Sequence, residues 1–251
     1  IIYATYFYSW DTINYEYLLI IIISGFVGIF LGDTLLFVAL EKIGPRRNNI
    51  LFSLAAPFTV ILNIFILKEN MTSLNIIGCF IVFFGVVVAI AYGSNENNNH
   101  RWEVVKGSLK IGIVFAILAA FCQSVGLILI KPVLDLGADP IAAAAIRTSI
   151  SFILIVSTFF INFQSFKSPI KITYKIILQS ILSGFLGMAL GMSLLLIALQ
   201  NADAGIVATL SSTSPIIILF LIWLLTKKIP SSGAWVGTFI AIFGTSLIFI
   251  Y

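Results

Sequence analysis

The chain consists of long apolar segments separated by short polar ones. A helix needs about 20 apolar residues to cross the hydrocarbon core of a bilayer, and each segment is close to that length. The segments are labelled spans A to H in chain order and occupy residues 17–40, 49–67, 74–92, 108–130, 139–163, 176–199, 205–226 and 232–251. The sequence therefore predicts an all-α polytopic membrane protein with eight transmembrane helices.

The composition supports a membrane environment. Hydrophobic residues make up 60% of the 251 residues and charged residues only 10%. A soluble domain carries about 25% charged residues, because its surface must be wetted. The polar segments between the spans are too short to hold a soluble domain. The lipid bilayer is therefore the expected surrounding.

The residue types present disfavour several classes of function. Basic residues stand in short loops rather than forming a patch, which argues against a nucleic-acid partner. His100 is the only histidine, so neither a histidine metal cluster nor a Ser-His-Asp triad can form. Cys79 and Cys122 both lie within apolar spans. We expect no cofactor, no metal site and no enzymatic activity.

An internal repeat links the two halves of the chain. Residues 24–40, SGFVGIFLGDTLLFVAL, match residues 183–199, SGFLGMALGMSLLLIAL, without a gap. SLAAP at 53–57 then corresponds to SSTSP at 211–215, and GCFIVFFG at 78–85 corresponds to GTFIAIFG at 237–244. Spans A, B and C therefore correspond to F, G and H, whereas D and E have no counterpart.

The repeat predicts a five-helix unit of which the first copy lacks two helices. An odd-numbered unit, when duplicated, inserts its second copy upside down, which is the arrangement of many secondary transporters. We predict an interfacial remnant of a missing second helix at 1–16 and the last three helices of the first copy at 17–92. A linker is predicted at 93–107 and a complete second copy at 108–251.

Longer motifs resemble a known family. The runs GDTLLFVALEKIGPRRNNILFSLAAPF, beginning at Gly32, and KPVLDLGADPIAAAAIRTSISF, beginning at Lys131, are similar to EamA-type halves of the drug/metabolite transporter superfamily. The resemblance continues through LGMSLLLIALQNADAGIVATLSSTSPIIIL, beginning at Leu190. It implies a ten-helix carrier of small metabolites in a prokaryotic cytoplasmic membrane, as a monomer or homodimer, here without its first two helices. Lys68-Glu69 and Lys227-Lys228 depart from the Gly-Glu pair usual at those positions.

The basic residues bear on membrane orientation. Eleven lysines and arginines lie in the loops between spans A and B, C and D, E and F, and G and H, whereas Lys68 and Lys131 lie on the other side. The positive-inside rule places the first four loops in the cytoplasm. The family resemblance implies cytoplasmic termini, which is the opposite orientation, so orientation stays open.

Two charged residues lie well inside spans, Asp33 in span A and Arg147 in span E. A charge at membrane depth normally faces a partner or a watery cavity, because it costs several kcal/mol in lipid. The alternatives are a structural ion pair, or a bond from Asp33 to Arg46 or Arg47. We hypothesise that both charges face a central cavity, where Arg147 pairs with a substrate carboxylate and Asp33 with an amino group.

Further polar groups accompany prolines within the spans. Pro57 and Pro215 occupy equivalent positions, and a proline inside a helix bends it and frees a carbonyl group. Either a structural kink or a cavity lining explains this pattern. The cavity candidates beside the two charges are Ser53, Pro57, Gln123, Thr209, Ser211, Ser214 and Pro215.

Glycines recur on one helical face in each copy. Their spacing of three and four residues predicts close helix packing, and the alternative is a groove that admits substrate. The glycines are Gly25, Gly28 and Gly32 in span A, and Gly184, Gly187 and Gly191 in span F.

These features favour a secondary-active or facilitative carrier of small metabolites, such as amino-acid-like or other polar solutes, that works by alternating access. A lipid or polyprenyl-phosphate flippase of the same superfamily is the first alternative, since Arg46 and Arg47 could flank a lateral groove. A membrane-embedded enzyme is the second, and it lacks the clustered acids or histidines that such chemistry needs.

Overall fold

The computed structural model describes residues 9–68, 71–92, 108–160, 173–213, 216–217, 224 and 231–249. Each regular element in these ranges is helical, so the predicted all-α fold is confirmed for this part of the chain. Helices satisfy every backbone polar group within one segment, which is why long apolar stretches adopt them in lipid.

The first half opens with a short 3₁₀ helix, Ser9–Thr12, and then forms spans A to C. Span A is α1 (Tyr15–Gly25), the π-helix π1 (Phe26–Leu31) and the first part of α2 (Gly32–Phe52). The remaining elements are the end of α2, α3 (Ala55–Leu62), the π-helix π2 (Asn63–Leu67) and α4 (Ser73–Tyr92).

The second half forms spans D to H. Its elements are α5 (Leu109–Asp135), α6 (Pro140–Phe160), α7 (Tyr174–Gly184), the π-helix π3 (Phe185–Gly191), α8 (Met192–Asn201), α9 (Ala204–Ser211) and α10 (Ser232–Phe249). Span G begins as α9, and most of its remainder lies outside the described residues.

Among the described residues, five helical stretches are long and apolar enough to cross a membrane, and they coincide with spans A, B, D, E and F. Spans C and H contain shorter apolar stretches, Ser73–Ala89 and Ser232–Leu247. The five longer stretches are Tyr15–Gly44, Arg47–Leu67, Leu109–Asp135, Pro140–Thr158 and Tyr174–Asn201.

Two loops predicted from polar residues, 41–48 and 131–138, are shorter in the structure because helices extend into them. The loop expected at 41–48 is helical apart from Gly44, whose φ of 78° and ψ of 164° break α2. Glycine adopts positive φ without strain, so the chain turns at one residue. The loop expected at 131–138 starts only after Asp135, where α5 ends. The Nζ of Lys131 pairs with the carboxylate of Asp135 at 2.6 Å, one turn further along the helix, and this pair supports the last turn.

The repeat seen in the sequence is also present in the secondary structure. Tyr15 and Tyr174 begin corresponding helices, and so do Ser73 and Ser232. The π-helices π1 and π3 follow α1 and α7 directly in the two copies.

The last helices of the two copies, α4 and α10, run antiparallel, as an inverted repeat requires. A Cβ built on Gly85 would lie 2.5 Å from the backbone N of Ala241, and one built on Gly244 would lie 2.7 Å from the backbone N of Val82. At the end of α4, the Ser231 hydroxyl donates to the Tyr92 carbonyl. Positions later in α4 thus contact positions earlier in α10.

The largest buried cluster combines both halves. Ile21 of α1 packs with residues of α5 from Leu127 to Leu134, and Leu196 and Leu199 of α8 join them. This cluster holds α1 against α5, α6 and α8. The first copy is therefore packed onto the two helices that have no counterpart within it.

Candidate functional site

The side chain of Arg147 is enclosed between α6, π1 and α5. Its exposed fraction is 0%. A Cβ built on Gly25 would lie 2.8 Å from the Cα of Arg147, and one built on Gly28 would lie 3.1 Å from its Nη2 and 2.9 Å from the Cα of Gly126. The Ser24 hydroxyl donates to the Gly126 carbonyl at 2.7 Å and locks the same junction. The first-copy glycines therefore serve close packing, as their spacing predicted.

The guanidinium group of Arg147 has no hydrogen-bond partner among the described residues. This holds for Nε, Nη1 and Nη2 alike. Burying an unpaired charge is expensive, because the low dielectric removes hydration without replacing it. Arg147 is therefore a buried cation whose counterion is not among the described residues.

Asp33 and Arg147, the two charged residues predicted inside the spans, do not bond to each other among the described residues. Asp33 is half-buried, and it forms no ion pair with Arg147 in the described part of the chain. Their shared role around a central space stays a prediction.

Two open-sided cavities flank α6. The π3 cavity has a volume of about 530 Å³ and lies between α6 and π3, where Thr148, Ser149, Met188 and Ser193 line it. The bridging cavity has a volume of about 520 Å³ and extends from Ile29 of π1 past α6 to Met188 of π3. Thr148 and Ser149 line both cavities. Ile29 of π1 and Met188 of π3 thus line the same cavity.

The predicted kink beside Pro57 is present and its polar groups are largely satisfied. Ser53 ends α2, and its hydroxyl donates to the Ile50 carbonyl at 2.7 Å. The Ala55 carbonyl lies 2.8 Å from the hydroxyl of Thr59 and 2.9 Å from that of Ser124. These bonds tie α3 to α5 and favour the structural interpretation of the kink.

The corresponding polar stretch of the second copy is only partly described. Thr209 is buried, and its hydroxyl donates to the Gly205 carbonyl at 2.8 Å. Ser211 is exposed. Ser214 and Pro215 lie outside the described residues.

None of the predicted site residues that the structure describes lines either cavity, and Gln123 is half-buried on α5. The sequence reasoning missed the hydroxyl residues that do line them, Thr148, Ser149 and Ser151. The sequence signal for them was the polar run RTSIS at 147–151, which follows AAAAI at 142–146 in span E.

Asn63 is a second buried polar group without a partner, although the sequence favoured a structural bond for it within the helix bundle. It begins π2, its exposed fraction is 0%, and neither atom of its amide group has a partner in the described chain. The amide interrupts an otherwise apolar run, ILNIFIL. A buried amide without a partner is costly, so it is a candidate for contact with solute or water.

No group of three or more metal-binding side chains comes together within the described ranges. The polar groups that line the two cavities are hydroxyls, and the guanidinium of Arg147 lies against Gly28 next to the bridging cavity. These groups suit binding by hydrogen bonds and charge.

Comparison with known proteins agrees with this architecture. The model of the EamA-like transporter family matches residues 2–91 and 110–250. A crystal structure aligns with a TM-score of 0.73 over 91% of this chain and 74% of that chain, and at 15% identity it shows a shared fold alone.

Two curated relatives are named as transporters. The uncharacterized transporter sll1164 of Synechocystis is 26% identical over 220 residues, 86% of this chain and 61% of that protein. The uncharacterized transporter YyaM of Bacillus subtilis is 39% identical over 75 residues, 30% of this chain and 25% of that protein. The chain therefore spans less than two thirds of either relative. Because the family model matches both halves nearly end to end, this integral membrane protein belongs to the EamA-like transporter family.

Proposed function

We propose that the chain forms most of a carrier that moves small polar solutes, amino-acid-like ones among them, across a bacterial cytoplasmic membrane by alternating access. The bridging cavity carries this proposal, since Ile29 of the first copy and Met188 of the second line one space. Carriers built from inverted repeats bind solute between the copies, near the middle of the bilayer. No reaction is catalysed.

The size and lining of the bridging cavity support a small solute. Its volume of about 520 Å³ lies within the range of about 300–1,000 Å³ that small-molecule sites occupy. Apolar side chains form most of the wall, and Thr148, Ser149 and Ser151 add hydroxyls on one side. Such a wall orients a solute without holding it too tightly to release.

The π-helices support a change between two states. A π-helix departs from the regular ladder of hydrogen bonds and often occurs at functional sites. π1 and π3 occupy equivalent positions in the two copies and border the cavities on α6. Bending at these two segments would widen the space on one side of α6 while narrowing it on the other.

Solute flux through liposomes tests the carrier function. The intact protein is reconstituted, the vesicles are loaded with a mixture of unlabelled polar solutes, and the uptake of each radiolabelled solute is followed. We expect saturable counterflow of at least one solute. The absence of counterflow with every solute tested contradicts the proposal.

Labelling of one cysteine from either side tests alternating access. Ser149→Cys is made in a background with Cys79→Ser and Cys122→Ser, because Ser149 lines both cavities. We expect a membrane-impermeant thiol reagent to label it from both faces, with solute changing the two rates in opposite directions. Ser180→Cys on the exposed surface of α7 is the matched control, and its rates should not respond to solute. A response of equal sign on both faces contradicts alternating access.

A flippase is the second candidate, because α7 and π3 present an exposed apolar surface next to an open-sided cavity. A lipid could enter a cavity of this kind from the bilayer. Scrambling of a fluorescent lipid by the same proteoliposomes, without counterflow of any polar solute, would favour the flippase.

A further inference from the structure

We propose that Arg147 binds the carboxylate group of the transported solute, so that the carrier selects small solutes bearing a carboxylate. The proposal rests on the carrier function and names its substrate class. It concerns Arg147 alone, because the structure places no carboxylate of the described chain on its guanidinium group.

The first argument is the unmet bonding capacity of Arg147. Its Nε, Nη1 and Nη2 atoms have no partner, and its exposed fraction is 0%. Arginine stays charged and presents five N–H donors in a planar fork. An anion bound here would replace the hydration that the guanidinium loses on burial, so the binding of an anion is favoured.

The carboxylates of the neighbouring segments have other partners or other positions. Asp135 accepts from the Nζ of Lys131 at 2.6 Å. Asp139 accepts from the backbone N–H of Ala142 at 2.8 Å, at the start of α6. Asp33 forms no ion pair with Arg147 within the described residues. Among the described residues no carboxylate is therefore placed to neutralise Arg147, and the proposal assigns that role to the carboxylate of the solute.

The second argument is the space around the guanidinium. Gly28 lies in π1, and a Cβ at this position would stand 3.1 Å from Nη2. Any side chain here would press on the guanidinium and fill the room on that side. Gly28 thus lets π1 lie directly against the guanidinium, with no side chain between the π1 backbone and the nitrogen atoms.

The third argument is the path from the bridging cavity. The cavity reaches Ile29, the neighbour of Gly28, and Ser151, which lies one helical turn after Arg147 on the same face of α6. Arg147 is enclosed beside this lining rather than part of it, so the proposed bound state requires the guanidinium to turn into the cavity. There it meets the carboxylate of the solute, while the remaining atoms of the solute contact Thr148 and Met188. The planar fork of arginine matches the two oxygens of a carboxylate, and lysine cannot reproduce that geometry.

Matched solutes test the proposal on the wild-type intact protein. Alanine, leucine and serine are compared with their amides, which lack the carboxylate, both for counterflow in liposomes and for their effect on the thermal unfolding midpoint in detergent. We expect the acids to bind about ten-fold or more tightly than the amides, as for the loss of a charge-assisted hydrogen bond. Equal binding and transport of acids and amides would overturn the proposal without any variant.

Variants then test whether the preference for acids over amides depends on Arg147. Arg147→Gln should remove the preference for acids, and Arg147→Lys should retain only part of it. Arg47→Gln changes an exposed arginine on α2 and should leave the preference intact. A preserved preference in Arg147→Gln would overturn the proposal.

The two proposals fail differently. If amides and acids cross equally well in the wild type, the carrier function stands and only the carboxylate site is wrong. If neither class shows counterflow, the carrier function fails as well. Should the Arg147 variants not fold, the comparison of acids with amides in the wild type decides alone.

Discussion

Gly28 lies directly against the guanidinium group of Arg147, and a Cβ on this glycine would stand 3.1 Å from Nη2 and 2.9 Å from the Cα of Gly126. One hydrogen atom in place of a side chain thus allows three helical segments, π1, α5 and α6, to meet around a buried charge. The same sequence pattern occurs in the second copy, where a Cβ on Gly187 would meet nothing within 4 Å. Within the described residues, the two environments therefore predict different effects for identical substitutions.

Gly28→Ala should destabilise the protein by about 1–3 kcal/mol, because the added methyl group presses on the backbone of Gly126 and cannot be accommodated by rotation. The thermal or denaturant-induced unfolding midpoint measures this. Gly187→Ala is the matched control and should be neutral. An unchanged midpoint for Gly28→Ala would show that α5 and π1 are not in this contact. Destabilisation by Gly187→Ala would show that a segment outside the described residues covers that face.

Ser24→Ala should destabilise the protein by about 1 kcal/mol, because its buried hydroxyl donates to the Gly126 carbonyl at 2.7 Å between helices. Ser183 holds the equivalent position in the second copy and is exposed. Ser183→Ala should therefore leave the unfolding midpoint unchanged. Equal effects of the two substitutions would contradict the unequal packing of the copies.

Tyr92→Cys combined with Gly233→Cys should form a disulfide under mild oxidation, in a background without Cys79 and Cys122. The end of α4 meets the start of α10 here, so a Cβ at Gly233 would lie 2.8 Å from the Cγ of Tyr92. Mass spectrometry of the digested protein detects the link. Ser73→Cys with Gly233→Cys is the control, because Ser73 begins α4 at its opposite end. A link in the control pair instead would mean that α4 and α10 run parallel.

Asn63→Leu should keep or raise the unfolding midpoint, because it replaces a buried amide without a partner by an apolar group of similar volume. Counterflow is measured on the same preparation. Lower counterflow with unchanged stability would identify the amide as a group that meets solute or water. A fall in the midpoint of several degrees would instead mean that the amide bonds within the folded protein.

Much of the architecture could be predicted because the bilayer imposes it. A chain in lipid must satisfy its backbone polar groups internally, so an apolar stretch of sufficient length has one available structure. Spans A, B and F were located within a few residues for this reason. The loop at 41–48 was misjudged because its polar residues extend the helix, and only Gly44 interrupts it with a φ of 78°.

The candidate site was harder to predict because a polar residue within a span has several possible partners. Arg147 was identified by its charge, and the alternative of a structural ion pair with Asp33 is not formed among the described residues. Ser149 and Ser151 were overlooked because hydroxyls are common in membrane helices and often bond to their own backbone. Which of them faces a cavity depends on the rotation of α6 against π1 and π3.

The sequence by itself determined the helical class, the order of the spans and the duplication, because each follows from local hydrophobicity or from matched letters. The tertiary structure decided what the glycine pattern of the first copy packs against. A Cβ on Gly25 would meet the backbone of Arg147 in α6, and a Cβ on Gly28 would meet the backbone of Gly126 in α5. The helices that correspond to α5 and α6 by the repeat are the two predicted before span A, so the neighbours of the second copy are not among the described residues. A local pattern specifies a face that can be packed, whereas the neighbouring helices determine whether anything packs there.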